Sequence, residues 1–143
     1  MPLRIIDHGS AEYDRMVELR MDILRRPLGL SFRPEDLARE CDDILLGAFD
    51  EERLLACCIL TREDAHTCRL RQMAVANSLQ GKGLGASLLH FAENVARDKG
   101  FRNLVMHARR SAVGFYQKQG YRSTGDEFEE VTIPHRRMHK TLC

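Results

Sequence analysis

Residues 78–89 read SLQGKGLGASLL: glycines at 81, 83 and 85, a lysine at 82, then an apolar run. Glycine reaches positive φ freely and lets a ligand approach the main chain with no Cβ in the way. A helix start leaves backbone N–H groups without partners and carries roughly +0.5 charge from the aligned peptide dipoles. Glycines placed directly before a helix therefore suit a phosphate-bearing ligand. The plainer reading is a helix that starts after a glycine-rich turn.

Three phosphate patterns compete for the stretch. A Walker loop needs G-x-x-x-x-G-K-[ST], which nothing here fits. The dinucleotide fingerprint G-x-G-x-x-G/A is formally met by Gly81, Gly83 and Ala86. It should open the first β–α–β unit and be answered about 20 residues later by an acid at a strand end. The next strand candidate, RNLVMHA, has no acid, and the glycines fall past mid-chain. The third pattern is Q-x-x-G-x-G, from Gln80 through Gly83 to Gly85.

The elements around the loop supply the geometry. LRIID (3–7) reads as a strand, and Ser10 can cap a helix from Ala11 to about Leu24, with Met16, Leu19, Ile23 and Leu24 as its stripe. RRPLGLSFRP (25–34) is a loop, and Pro34 suits the first turn of a short helix. ILLGAF (44–49) and RLLACCILT (53–61) form a hairpin of buried strands, followed by CRLRQMAV (68–75). A helix over 84–99 carries Leu84, Leu88, Ala92 and Val95 on one face and stops at Gly100. RNLVMHA (102–108) is a strand, AVGFYQKQ (112–119) a short helix, and YRST and RRMHKTL the closing strands. The order predicts an α+β domain, a mixed and largely antiparallel sheet flanked by helices, whose parallel element surrounds the glycines.

Composition bounds the partners. One domain is expected from 143 residues, and 43% hydrophobic with 30% charged residues is ordinary for a soluble globular chain. A net charge of +1 argues against a nucleic-acid binder, although HRRMHK offers a basic patch. No signal peptide or membrane span is expected. The five cysteines include no CxxC; Cys57 and Cys58 sit in an apolar run and read as core residues of a cytoplasmic protein. His135 and His139 are four apart but have no third ligand and no helix, so no metal is expected.

With RQMAV before it, the segment Gln80–Gly85 resembles the acyl-CoA signature of the GNAT superfamily of N-acetyltransferases. SAVGFYQKQGY (111–121) is similar to that family's second hallmark, and FEEVTIPHRRMHK to the closing segment of small bacterial members. The resemblance covers most of the chain and implies an acetyl-CoA-dependent enzyme acting on a small-molecule or peptide amine. It seats the CoA pyrophosphate on Gln80, Gly81, Lys82, Gly83, Leu84, Gly85 and Ala86. The pantetheine arm runs along Met73, Ala74 and Val75, and Ser111 and Phe115 flank the cofactor. Lys82 adds charge or is simply solvated.

Tyr116 corresponds to the tyrosine that protonates the departing thiolate; otherwise it fills space beside Phe115. The strand glutamate that many members use as a base is replaced by Arg69, and an asparagine near the cofactor by Arg109. His135 is the candidate base, with His107, Glu129 and Glu130 behind it; a structural histidine after a proline is the competing reading. The acceptor is expected to meet the 25–34 loop and the last strands. An exposed sheet edge admits a homodimer. The rival functions are a catalytically idle acyl-CoA-binding or sensing domain and a nucleic-acid binder.

Overall fold

The structure, a computed structural model, describes residues 2–142; the expectation for Cys143 lies outside the described residues. Seven strands form one sheet in the order β1-β2-β3-β4-β5-β7-β6. They are β1 (Leu3–Ile6), β2 (Ile44–Asp50), β3 (Arg53–Arg62), β4 (Thr67–Val75), β5 (Asn103–Arg109), β6 (Arg122–Glu130) and β7 (Ile133–Thr141). Neighbours pair antiparallel except β4 and β5, which are parallel and joined by the long helix. The helices are α1 (Ala11–Arg20), α2 (Pro34–Ala38), α3 (Leu84–Asp98) and α4 (Val113–Lys118). This is the mixed, largely antiparallel α+β sheet that the sequence predicts, with its parallel pair around the glycines.

The sheet separates two cores. On one face α3 and α4 pack over Leu70, Leu104, Met106 and Met138; on the other α1 packs over Leu45, Phe49, Cys57 and Ile59. Leu88, Leu89, Ala92 and Ala96 of α3 are fully buried, and each leucine taken out of water contributes about 1.5–3 kcal/mol. Cys57, Cys58 and Cys68 are buried free thiols, while Cys41 is exposed.

Most boundaries shift by a residue or two, the expected loop at 25–34 opens with a 3-10 turn over Arg26–Leu28, and two differences are larger. The expected helix to Leu24 is α-helical to Arg20 and widens to a π turn over Met21–Arg25. The closing strands are longer than YRST and RRMHKTL and meet in a turn at Val131 and Thr132, both at positive φ (46° and 64°). Gly125 and its acidic neighbours disguise the first strand; a register shift between Thr124 and Phe128 absorbs the irregularity. Pro134 lies inside β7, where its missing N–H forfeits no bond to β5, because the β5 register ends one residue earlier at Arg109↔His135.

Two buried carboxylates lock helices onto this frame. Glu93 of α3 accepts from Tyr121 Oη (2.8 Å) and Lys140 Nζ (3.0 Å), tying α3 to β7 and to the chain after α4. Glu40 accepts a two-pronged pair from Arg20 (2.8 and 2.7 Å) and a bond from Tyr13 Oη (2.7 Å). Burial alone would raise the Glu40 pKa, but Arg20 and Tyr13 bring it below the usual carboxylate range. Its contribution to stability is therefore present above that range and lost as pH falls through the depressed value. We expect Glu40→Ala, which strands the Arg20 charge at 0% exposure, to cost about 3–5 kcal/mol in urea unfolding.

Candidate active site

The parallel register of β4 and β5 runs from Thr67↔Asn103 to Leu70↔Met106 and then stops, although both strands continue. Two residues on, Gln72 adopts φ +57°, and the β3–β4 register shifts beside it. The bulge reverses the alternation of side chains. Cys68 and Leu70 point into the α3 core before it, Met73 and Val75 after it, and Ala74 enters the α1 core. The strands part here, leaving main-chain groups of β4 without a β5 neighbour. A cleft of about 1060 Å³ opens between them.

On the α3 side the cleft is lined by the glycine loop, Phe115 and Tyr116. Gly83 sits at the N-cap of α3 with φ +81° and no side-chain cap, so the first amides of the helix are free of an internal acceptor. A Cβ built at Gly81 or Gly83 would meet nothing within 4 Å, which leaves open space over the amides. At Gly85 it would stand 3.6 Å from Phe115 and 3.7 Å from Val75, a close approach of helix to strand and α4. Gln80 turns its side-chain amide back to donate to Val75 O (3.0 Å) and Asn77 Oδ1 (3.3 Å), stapling the loop to the end of β4. Tyr116 is 6% exposed, and burial pushes its phenol pKa up, so the hydroxyl keeps its proton at ordinary pH.

On the α1 side the same cleft meets charged groups. Arg69, Arg71, His107 and Arg109 alternate with the buried residues of β4 and β5 and line this wall. Glu130, at the end of β6, reaches back over β7 and β5 to them. Its Oε1 lies 3.0 Å from His107 Nδ1 and 3.7 Å from Arg69, and its Oε2 lies 3.8 Å from His135 Nε2. Burial would raise the Glu130 pKa; His107, Arg69 and His135 together bring it below the usual range. Arg69 also lies 2.9 Å from His107 Nδ1. That atom cannot accept from Arg69 and donate to Glu130 at once, so one proton decides which bond forms. His135 is 4% exposed, with Nδ1 2.7 Å from Ile133 O, which orients the ring and leaves Nε2 facing Glu130.

The cleft thus gathers Met73, Val75, Gln80, Gly81, Gly83, Gly85, Ala86, Ser111, Phe115, Tyr116 and His135 from the residues singled out in the sequence. Ala74 and Leu84 point into the cores, and Lys82 is exposed beside the loop. Glu130 stood low among the sequence candidates, because a carboxylate 61 positions from Arg69 shows no pattern linking the two along the chain. Among the described residues no three His, Cys, Asp or Glu side chains gather as metal ligands, and no helix is long and apolar enough to cross a membrane.

The family model for an acetyltransferase (GNAT) domain matches residues 31–142. The chain belongs to the GNAT acetyltransferase family. It is 33% identical over 75 residues to a putative acetyltransferase of Bacillus subtilis, covering 52% of this chain and 51% of that one. It is 31% identical over 86 residues to a probable N-acetyltransferase 14 of Xenopus tropicalis, covering 57% and 42%. The matches thus span about half the length of these curated relatives. The fold of a putative N-acetyltransferase from Lactobacillus plantarum superposes over 100% of both chains, with a TM-score of 0.87 at 24% identity. That of an aminoglycoside 6'-N-acetyltransferase complexed with coenzyme A does so over 100% and 98%, with a TM-score of 0.86 at 15% identity.

The carboxylate that lines this cleft, Glu130, comes from the end of β6. Because the His107 contact favours the charged form of Glu130, its loss leaves burial less opposed. We expect His107→Ala to raise the Glu130 titration midpoint, read as the pH dependence of its side-chain carboxyl ¹³C shift; an unmoved midpoint would mean that the two groups do not interact in solution.

Proposed function

We propose that the protein is an acetyl-CoA-dependent N-acetyltransferase that acylates a primary amine by direct attack while both reactants are bound. The observation that supports this most is a single cleft with uncapped helix amides and Tyr116 on one side of the parted strands and a carboxylate–histidine cluster on the other. The residues fit the cosubstrate: open glycine amides for a diphosphate, and unpaired β4 main chain for an extended arm that adds like a strand. When bound, acetyl-CoA supplies an acetyl thioester.

The amides from Gly81 to Ala86 hold the diphosphate, and Met73 and Val75 align the pantetheine by main-chain bonds. A β4 N–H donates to the thioester carbonyl oxygen, where negative charge grows during attack. Aminolysis of a thioester is downhill, so the protein's work is orientation and the movement of protons. An ammonium must lose one proton before it attacks and a second as the C–N bond forms. Glu130, backed by His107 and His135, stands where it can take them up one at a time, the first passing on to solvent in the open cleft before the second arrives. The sulfur leaves as the C–S bond breaks, and the Tyr116 hydroxyl gives it a proton. Arg69 occupies the strand position of the expected base, and Glu130 delivers a carboxylate to the same place from across the sheet.

Two outcomes check this. Acetyl-CoA at about 100 times its Kd should stabilise the fold by roughly 2.7 kcal/mol in thermal unfolding. Gly83→Asp, which sets a carboxylate over the loop, should remove the shift; an unchanged transition of the unaltered protein across a wide CoA range would contradict the reading. Tyr116→Phe should lower kcat by about 10²-fold or more with little change in CoA affinity. CoA binding with no acetyl transfer to any amine would instead indicate an acyl-CoA-binding domain without catalysis.

A further inference from the structure

The α1-side wall of the cleft carries more positive charge than its neighbours neutralise. Four guanidiniums reach it: Arg25 from the π turn after α1, Arg69 and Arg71 from β4, and Arg109 from the end of β5. Arg69 has Glu130 at 3.7 Å, and Arg71 has Asp43 at 3.6 Å. Among the described residues, Arg25 and Arg109 have no carboxylate partner within 4 Å. Arg109 donates to the carbonyl of Leu24 (3.2 Å), which brings the end of β5 against the π turn. Arg25 lies over the Phe32 ring, 4.5 Å from its centre, and Arg20 lies 4.5 Å from the same centre. The Arg25 head is thus held by stacking, with its hydrogen-bonding edge left for another group. Burial, and the nearby cations Arg20, Arg109 and Arg71, lower its pKa despite Asp36. The wall is organised, half-buried and short of anions.

These guanidiniums do not sit with the glycine loop. Residues 104, 106 and 108 of β5 pack into the α3 core, so Arg109 emerges on the opposite face, as its bond to Leu24 confirms. Arg69 and Arg71 alternate with Cys68 and Leu70 in the same way. The diphosphate site proposed above lies on the α3 face, and the Glu130 cluster on the α1 face. An anion met by Arg25 and Arg109 therefore arrives with the amine. Guanidinium forks match carboxylates in two-pronged geometry and lose little entropy when already stacked.

Resting on the acetyltransferase reading, we propose that the acceptor is an anionic amine, a molecule that presents its amino group to Glu130 and a carboxylate to Arg25 and Arg109. Glu130 and the arginines then read the two charges of one substrate. A polyamine or another polycation would bring like charge against the wall and be rejected.

The test compares glycine, β-alanine, γ-aminobutyrate and the L-α-amino acids with their carboxamides, with O-phosphoethanolamine as the phosphate-bearing counterpart and spermidine as the polycation. Binding is read first, by NMR titration of the CoA-loaded protein while observing the arginine side-chain Nε–H signals. Acids should shift Arg25 and Arg109 and amides should not. Acetyl transfer should favour the acids, and Arg25→Gln should raise their KM by roughly 10- to 100-fold while leaving the KM for acetyl-CoA unchanged. Arg109→Gln should act in the same direction, and Arg25→Lys should recover part of the loss. Acids and amides binding alike, or a preference for spermidine, would overturn the proposal, as would a rise in the acetyl-CoA KM alone, which would assign the arginines to the cofactor phosphates. A preference for O-phosphoethanolamine would replace the carboxylate by a phosphate. If CoA itself fails to bind, the acetyltransferase reading falls instead, and the acid–amide comparison on the unloaded protein still decides whether the wall selects anions.

Discussion

The cleft on which the proposed function rests depends on the parting of two parallel strands. β4 and β5 pair for four residues and then separate beside a bulge at Gln72, whose φ of +57° breaks the two-residue alternation. A paired sheet would have satisfied these main-chain groups and left no room between them. Separation has a cost, since main-chain groups that a paired β5 would have satisfied are left facing the cleft. It persists because the surroundings are held independently. β3 continues to pair with β4 past the bulge, Glu93 ties α3 to β7, and Glu40 ties α1 to the segment after α2.

The gap joins two surfaces with different chemistry. Toward α3 and α4 the lining is glycine, apolar side chains and main chain, suited to a ligand recognised by its phosphates and its extended shape. Toward α1 it is arginine, histidine and glutamate, suited to a partner recognised by charge. In the reading proposed above, the first surface holds the acyl donor and the second the amine, and the reacting atoms meet where the strands part. Catalysis then needs few dedicated groups, because orientation supplies much of the rate and the side chains serve mainly to move protons.

Much of the fold is legible in the chain because local signals agree. Ser10 caps α1 through a bond to the Tyr13 amide (3.1 Å), Gly100 ends α3, and the apolar stripe of α3 faces the core. The glycine loop is also legible, since its composition and its place before a helix state the same requirement. What could not be read is set by pairing between distant residues. The bulge at Gln72 leaves no mark, because glutamine has no preference for positive φ and the bulge shows only in the register with β3. The hairpin of β6 and β7 is concealed by Gly125 and Pro134, which look like breaks until the register shows one absorbed in an irregularity and the other beyond the end of β5. Glu130 follows from that hairpin. Only when β6 extends to Glu130 does its carboxylate reach Arg69 and His107, so a sequence reading that shortens the strands also mislays the acid.

The central claim is that the parted strands receive the donor, and amide chemical-shift mapping tests it directly. Titrating ¹⁵N-labelled protein with coenzyme A should move the resonances of Met73, Val75, Gly81, Gly83, Gly85 and Ala86 most, followed by Ser111 and Phe115, while β1, β2 and α2 stay nearly still. The largest changes appearing on β1 and β2, or nowhere, would contradict the account.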